Sequence, residues 1–320
     1  MSQADLHTLD DLRLRIGGIR YVRHPIFDEN KPEENNWLFR TANRLHSLTR
    51  QKTIARRLLF VEGDPFSSQK IAESERILRS ENFLRDAHIV VEKICGDRVF
   101  LAVHTYDVWT LIPSINFARS GGKNSLSFNI TENNLLGTGQ SIQVARFSDA
   151  ERTGTLFRYV NRKLTRFQAL LDLEYQNNQD GFKKSLVFER PFFALDTKWS
   201  GGIEARQFDR TARLYFRGEE SLRYQQDSLY QEIFFGVSEG LVAGETERWR
   251  FGVTRDDNQF DLIPGDPLST AVPEDRHWRY PWFGYEWIQD RFVTRTNVNL
   301  MNRTEDFHVG RYLSLRLGIS

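Results

Sequence analysis

Polar and apolar positions follow two different periods along this chain. Near the N-terminus, Leu12, Leu14 and Ile16 alternate with Arg13, Arg15 and Gly17, and Ile19 follows, so the pattern predicts a strand over Leu12 to Val22. The Asn-, Glu- and Pro-rich stretch from Asp28 to Asn36 reads as a loop. From Thr49 the period lengthens. Ile54, Leu58 and Val61 recur at helical spacing, and Glu62-Gly63-Asp64-Pro65 should stop that helix. Ser67 or Ser68 can cap a second helix whose apolar face is Ile71, Ser74, Ile77 and Leu78, leaving Lys70, Glu73, Glu75 and Arg79 to water. Two strands follow, Phe83 to Val91 and Val99 to Val103, joined by a Gly96-Asp97 turn. The order is β-α-α-β-β.

After Trp109 only the two-residue period remains. Leu126, Phe128 and Ile130 oppose Ser125, Ser127 and Asn129. Phe167, Ala169, Leu171, Leu173 and Tyr175 oppose Gln168, Asp172 and Glu174. Trp249, Phe251 and Val253 oppose Arg248, Arg250 and Thr254, while Leu313, Leu315, Leu317 and Ile319 oppose Ser314, Arg316 and Gly318. About a dozen such runs are expected, linked by short turns at Ser120-Gly121-Gly122, Asn177 to Gly181 and Asp209 to Thr211. One link is long: Asn258 to Pro281, with Pro264, Pro267, Pro273 and Pro281, suits an extracellular loop. Trp278, Tyr280, Trp282 and Trp287 around its return suit an interfacial aromatic belt. A greasy face outward and Asp172, Glu174 and Arg250 in a wet lumen is the arrangement of a membrane β-barrel.

Composition sharpens this picture. Of 320 residues, 13% are aromatic, with 24 Phe, 10 Tyr and 7 Trp, yet mean hydropathy is −0.54. Rings interleaved with polar residues fit a two-faced sheet better than a soluble core. With 44 basic and 43 acidic residues the net charge is +1, which gives no basic footprint for nucleic acid. No apolar run approaches the ~18 residues of a spanning helix, so a membrane location requires a barrel. No signal peptide is visible at Met1, so the chain is expected to begin downstream of its true start.

Chemical motifs are sparse. Cys95 is a lone thiol read as packed or in a turn. Gly236-Val237-Ser238-Glu239-Gly240 matches the pattern of a hydrolase elbow, but the short Leu241 to Glu245 stretch reads as a hairpin rather than the helix an elbow needs. The seven histidines show no ligand spacing, so no metal is expected. Gly137-Thr138-Gly139 lacks the third glycine of a dinucleotide loop, so no cofactor is expected. Arg13, Arg15, Arg20 and Arg23, with Arg56 and Arg57, read as solvated basic faces that can meet anionic lipid.

The segment Thr53 to Glu92 resembles a POTRA domain: the Leu58-Leu59-Phe60 helix end, the Glu62-Gly63-Asp64 turn, the Ser74-Glu75-Arg76-Ile77-Leu78-Arg79 helix and the Phe83-Leu84-Arg85-Asp86-Ala87 strand stand in that family's order. The turn Asn133, Asn134, Leu135, Leu136, Gly137, Thr138, Gly139 resembles the one joining early strands in barrels of the BamA/TamA-like surface-antigen superfamily, and Glu305 to Gly318 is similar to it more loosely. The resemblance implies an α+β POTRA domain followed by an antiparallel transmembrane β-barrel: residues 1–11 as an N-terminal segment, 12–108 as the POTRA domain and 109–320 as the barrel. It implies an assembly or translocation factor of the bacterial outer membrane, with its POTRA domain in the periplasm. Its partners would be outer-membrane lipid, unfolded or partly folded client chains and other periplasmic or outer-membrane assembly components, and no cofactor is involved. Clients would add a strand at the edge through Ala87, Ile89 and Val91. The first barrel strand, with Ile112, Pro113, Ile115 and Phe117, would form the lateral seam, where proline suits an edge. Two features depart from the family. Its barrels have 16 strands and an aromatic C-terminal strand, so the chain is expected to be truncated after Ser320, and its Arg-Gly loop motif has only a loose counterpart in Phe216-Arg217-Gly218. A passive porin-like or adhesive barrel is the second reading, and an outer-membrane hydrolase using Ser238 the third.

Overall fold

The computed structural model describes residues 8–120, 122–149, 151–164 and 167–319. They fall into two compact units. The first comprises the chain up to Thr110 together with Asn133–Gly139 and Arg291–Val309; the second comprises Leu111–Glu132, Gln140–Asp290 and the chain from Gly310 onward. A boundary near 108/109 is therefore only part of the division, because two later segments also belong to the first unit.

The first unit contains β1 (Arg15–His24), α1 (Trp37–Leu45), α2 (Gln51–Ala55), α3 (Ser68–Arg79), β2 (Leu84–Cys95) and β3 (Arg98–Asp107). The sheet order is β1-β3-β2, with β1 parallel and β2 antiparallel to β3. A bulge between Ile16 and Gly18 shifts the phase of β1, so that Ile19 and Tyr21 rejoin the core side after Leu14 and Ile16. The core gathers Ile16, Ile54, Ile71, Leu78, Ile89, Leu101 and Val103, each contributing roughly 1.5–3 kcal/mol of burial.

Two local expectations are corrected, and one helix was not foreseen. The first predicted helix ends at Ala55 and does not reach Val61. Beyond it the backbone finds other partners: Leu59 N–H donates to Ser74 Oγ (2.9 Å) and Val61 N–H to Asp64 Oδ2 (3.0 Å). The chain then runs along β1, with Gly63 N–H to Ile16 O at 2.8 Å and Ile16 N–H to Asp64 O at 2.9 Å. Second, Glu73 and Arg79 on α3 are buried rather than turned to water, and so is Arg57; Arg57 Nε donates to Glu81 Oε1 at 2.6 Å. Finally, α1 was not legible as a helix; Asn36 Oδ1 caps it by accepting from Phe39 N–H at 3.0 Å.

The second unit is one antiparallel sheet of eleven strands: β4 (Leu111–Ser120), β5 (Lys123–Glu132), β6 (Gln140–Ser148), β7 (Thr153–Asn161), β8 (Leu170–Asn178), β9 (Gly181–Arg190), β10 (Trp199–Phe216), β11 (Glu219–Val242), β12 (Glu245–Asp261), β13 (Arg276–Gln289) and, after the first unit's hairpin β14 (Phe292–Thr296) and β15 (Thr304–His308), β16 (Tyr312–Gly318). Every ladder of this sheet joins consecutive strands except β13–β16, where β14 and β15 intervene in the chain. The edges are β4 and β16, and no ladder joins them among the described residues. The expected barrel is thus an open sheet here.

Several turn assignments change. Asp209 to Thr211 is not a turn but lies inside β10, paired with Asp227, Gln226 and Gln225. The reversal is at Arg217-Gly218, both at positive φ (54° and 88°), the geometry of a two-residue hairpin. The long link shrinks to residues 262–275, because Asn258 pairs with Arg276 and Val253 with Pro281. Phe167 to Ala169 precede β8 rather than extend it. Gly121 of the first expected turn lies outside the described residues.

Candidate lipid-facing surface and strand edges

Strand register aligns the apolar positions of the second unit. Phe235, Phe251 and Phe283 are cross-strand partners, and Leu317 extends the row. Val237, Trp249, Tyr285 and Leu315 form the next row. Val253, Ile233, Ile203 and Phe188 form a third. Toward the other edge, Tyr175, Phe157, Val144, Ile130 and Pro113 continue the surface. Apart from Pro113, Phe283 and Tyr285, these side chains rank among the exposed large hydrophobics. An apolar face across a whole sheet far exceeds the patches that water-soluble proteins expose. Tyr285 and Trp249 pack with centroids 4.5 Å apart, and Trp287 Nε1 donates to Glu245 Oε2 at 3.1 Å. Rings with a wet polar tip suit a membrane interface. Strand parity puts Trp278, Tyr280 and Trp282 on the opposite face, which corrects their assignment to that belt. Trp282 lies against Gly252, where a Cβ would meet its ring at 2.5 Å, and under the Arg316 guanidinium at 3.8 Å.

That opposite face is polar and internally paired. Glu232 accepts from Tyr230 Oη (2.8 Å), Thr254 Oγ1 (2.7 Å) and Arg316. Arg248 pairs with Glu286 at 2.8 Å and Lys183 with Glu174 at 2.8 Å. The β9–β10 connection, residues 191–198, packs on this face, which the sequence pattern did not reveal. Phe192 lies under Arg248 and Arg250 at 4.9 and 5.4 Å, and Thr246 Oγ1 donates to Leu195 O at 3.0 Å.

Ile112, Pro113, Ile115 and Phe117 lie on β4, an edge strand that pairs only with β5, and Ile115 and Phe117 are exposed. In the first unit β2 is likewise an edge, but Ala87 and Ile89 are buried. Their outer backbone groups are engaged by α3: Ile89 N–H donates to Glu75 Oε1 at 2.6 Å, and Arg79 Nη1 to Ala87 O at 2.8 Å. A proline at Ile89 would therefore remove a donor to Glu75 rather than a ladder donor. Val91 packs against the core. Burial pushes the Glu75 carboxyl above its ordinary range, opposed by Ile89 N–H and Arg79. Arg79 also chelates Asp306 of β15 at 2.7 and 3.0 Å, and Arg303 donates to Arg79 O and Glu81 O at 3.0 and 2.9 Å, beyond the end of α3.

The turn Asn133–Gly139 belongs to the first unit. Asn134 is buried, donating to Thr49 Oγ1 (2.8 Å) and accepting from Gly139 N–H (2.7 Å). Gly137 has φ +72°, and a Cβ there would meet Leu48 O at 2.5 Å; its carbonyl accepts from Arg50 N–H at 2.9 Å. Leu136 is exposed, and Leu135 accepts from Thr138 N–H at 3.1 Å. The glycines thus serve close packing as well as reversal.

Ser238 Oγ accepts from Gly240 N–H at 3.0 Å, and the strand continues to Val242, so no elbow forms. No cluster suited to a metal occurs among the described residues. No helix among them is long and apolar enough to cross a membrane.

Among solved structures, the chain is similar to BamA from Haemophilus ducreyi lacking POTRA domains 1-3, with 14% identity, a TM-score of 0.41 and 86% of this chain covered. It is also similar to CdiB from Acinetobacter baumannii, with 9% identity, a TM-score of 0.43 and 95% covered. The matches take in 55% and 58% of those two chains, so this chain spans little more than half their length. No family model and no curated protein matches it.

Proposed function

We propose that this chain is an outer-membrane β-barrel protein of the BamA/TamA-like kind that receives client chains at a POTRA domain and promotes their insertion or passage without a catalytic step. The observation that carries the reading is the continuous apolar face of the eleven-stranded sheet, backed by an ion-paired polar face. Lipid solvates the first and a water-filled lumen the second. Strands β4 to β9 are 9 or 10 residues long, and about 9–11 tilted residues cross a bilayer. In lipid, the β4 and β16 edges must find partners, since bare backbone groups are not tolerated there. The first unit is read as the POTRA domain in the periplasm because its motifs and its β-α-α-β-β core agree, and its receiving edge as β2, where a client would displace the Glu75 and Arg79 contacts.

The test is reconstitution of the chain in phospholipid vesicles with a photocrosslinker at His88, beside an unfolded outer-membrane barrel as client. Crosslinked client together with stable insertion is the expected result. Insertion with a large steady conductance and no crosslink would favour the passive porin-like barrel instead.

A further inference from the structure

Helix α1 is attached to the first unit by one side. Phe39 stacks on Phe27 with centroids 4.1 Å apart. Asn43 donates to Phe27 O at 2.9 Å and accepts from Phe27 N–H at 3.2 Å. The other side is bare: Trp37 is 73%, Leu38 55% and Leu45 73% exposed. At about 100° per residue, Trp37, Thr41, Leu45 and Leu38 fall within an arc of about 100°, Arg40 and Arg44 border it, and Phe39 and Asn43 lie behind. The helix holds no acidic residue. Of the upstream carboxylates, Asp28 accepts from Asn30 (3.1 and 3.0 Å), Glu29 from Asn43 (3.0 Å) and Glu34 from the Asp28 N–H (2.7 Å) and Lys31 (3.2 Å), while Glu33 is exposed.

We propose that α1 is a membrane-surface anchor that lies in the interface of an anionic phospholipid leaflet, with Trp37, Leu38 and Leu45 at the acyl boundary and Arg40 and Arg44 on the phosphates. Three large apolar side chains bordered by cations match a lipid surface in both chemistry and charge. A helix of nine residues binds such a surface only marginally by itself. The inference therefore rests on the second unit being embedded, since the tether then supplies bilayer at high effective concentration. Seated in this way, α1 would restrain the domain that receives clients against the leaflet.

Cys95, exposed at the end of β2, is the one cysteine of the chain. Replacing it (Cys95→Ser) lets a single environment-sensitive dye be placed by Thr41→Cys in the middle of the stripe, or by Ile233→Cys on the apolar face of the sheet as a control. The full chain is reconstituted in phosphatidylethanolamine–phosphatidylglycerol vesicles and quenched from the lipid with doxyl lipid or from water with iodide. Expected at position 41 is lipid quenching with iodide protection, and a shift toward water of about fivefold for each arginine neutralised by Arg40→Gln or Arg44→Gln. Iodide quenching alone at position 41 overturns the anchor. Protection from both quenchers also overturns it, because protein then covers the stripe. Lipid quenching at 233 without it at 41 defeats the anchor alone, whereas its absence at both positions defeats the barrel reading as well.

Discussion

His24 and His104 stand ring to ring on the neighbouring strands β1 and β3. Their nitrogens stand 3.3 Å apart with centroids at 5.6 Å and planes 14° apart, so the rings meet edge to edge and one N–H donates to the other ring's lone pair. His88 stacks on His104 with centroids 4.9 Å apart, and Tyr106 lies 4.2 Å from His24. Burial holds His24 below its ordinary value, helped by His88 and Arg85 and opposed by Asp28. Burial likewise holds His104 down, helped by His88, His24 and Arg20 and opposed by Glu92. The unfolded chain therefore binds protons that the folded pair refuses, and stability falls as the pH drops from about 6.5 toward the lowered folded values. The first unit should unfold at a lower urea concentration at about pH 5.5 than at about pH 7.5. The variant His104→Gln should flatten that difference, and an undiminished pH dependence in it would remove the pair as the cause. Spacing alone gave no sign of this cluster, because His24, His88 and His104 are brought together only by the pairing of three strands.

At the scale of elements, α3 shows what pattern can and cannot reveal. Its apolar positions and Ser67 cap were legible, because helical period and capping chemistry are local. The burial of Arg79 was not, since its partner Asp306 lies 227 residues away. Likewise, the short turn at Asn134 to Gly139 was legible as a turn but not as part of the first unit, where it meets Thr49 and Arg50. The same helix covers the β2 edge, so the Glu75 contact becomes a measurable gate. Glu75→Ala frees Ile89 N–H for a client strand, and crosslinking of client at His88 should rise. A fall in crosslinking, with the unit still folded by its melting profile, would place client reception elsewhere.

At the scale of the molecule, strand parity is the property most completely written in the sequence, since a shift of one residue exchanges the two faces. Leu126, Phe128 and Ile130 and the run from Trp249 to Val253 were legible for that reason, whereas the lengths of β10 to β12 were not, because Asp209 to Thr211 carries turn-forming residues inside a paired strand. The two faces make opposite demands on a charge. Phe251 is exposed on the apolar face, between Phe235 and Phe283. Phe251→Arg should cost about 2–4 kcal/mol if it sits near the bilayer midplane. Gln176 lies on the polar face and donates to Glu174 Oε1 at 3.2 Å; an arginine there stays in water, where contact with Glu174 offsets the repulsion of Lys183 on the neighbouring strand. Urea titration of the vesicle-inserted chain should show a large loss of stability for Phe251→Arg and little for Gln176→Arg. Equal losses would mean that both faces see the same solvent, and the division into a lipid side and a lumen side would have to be abandoned.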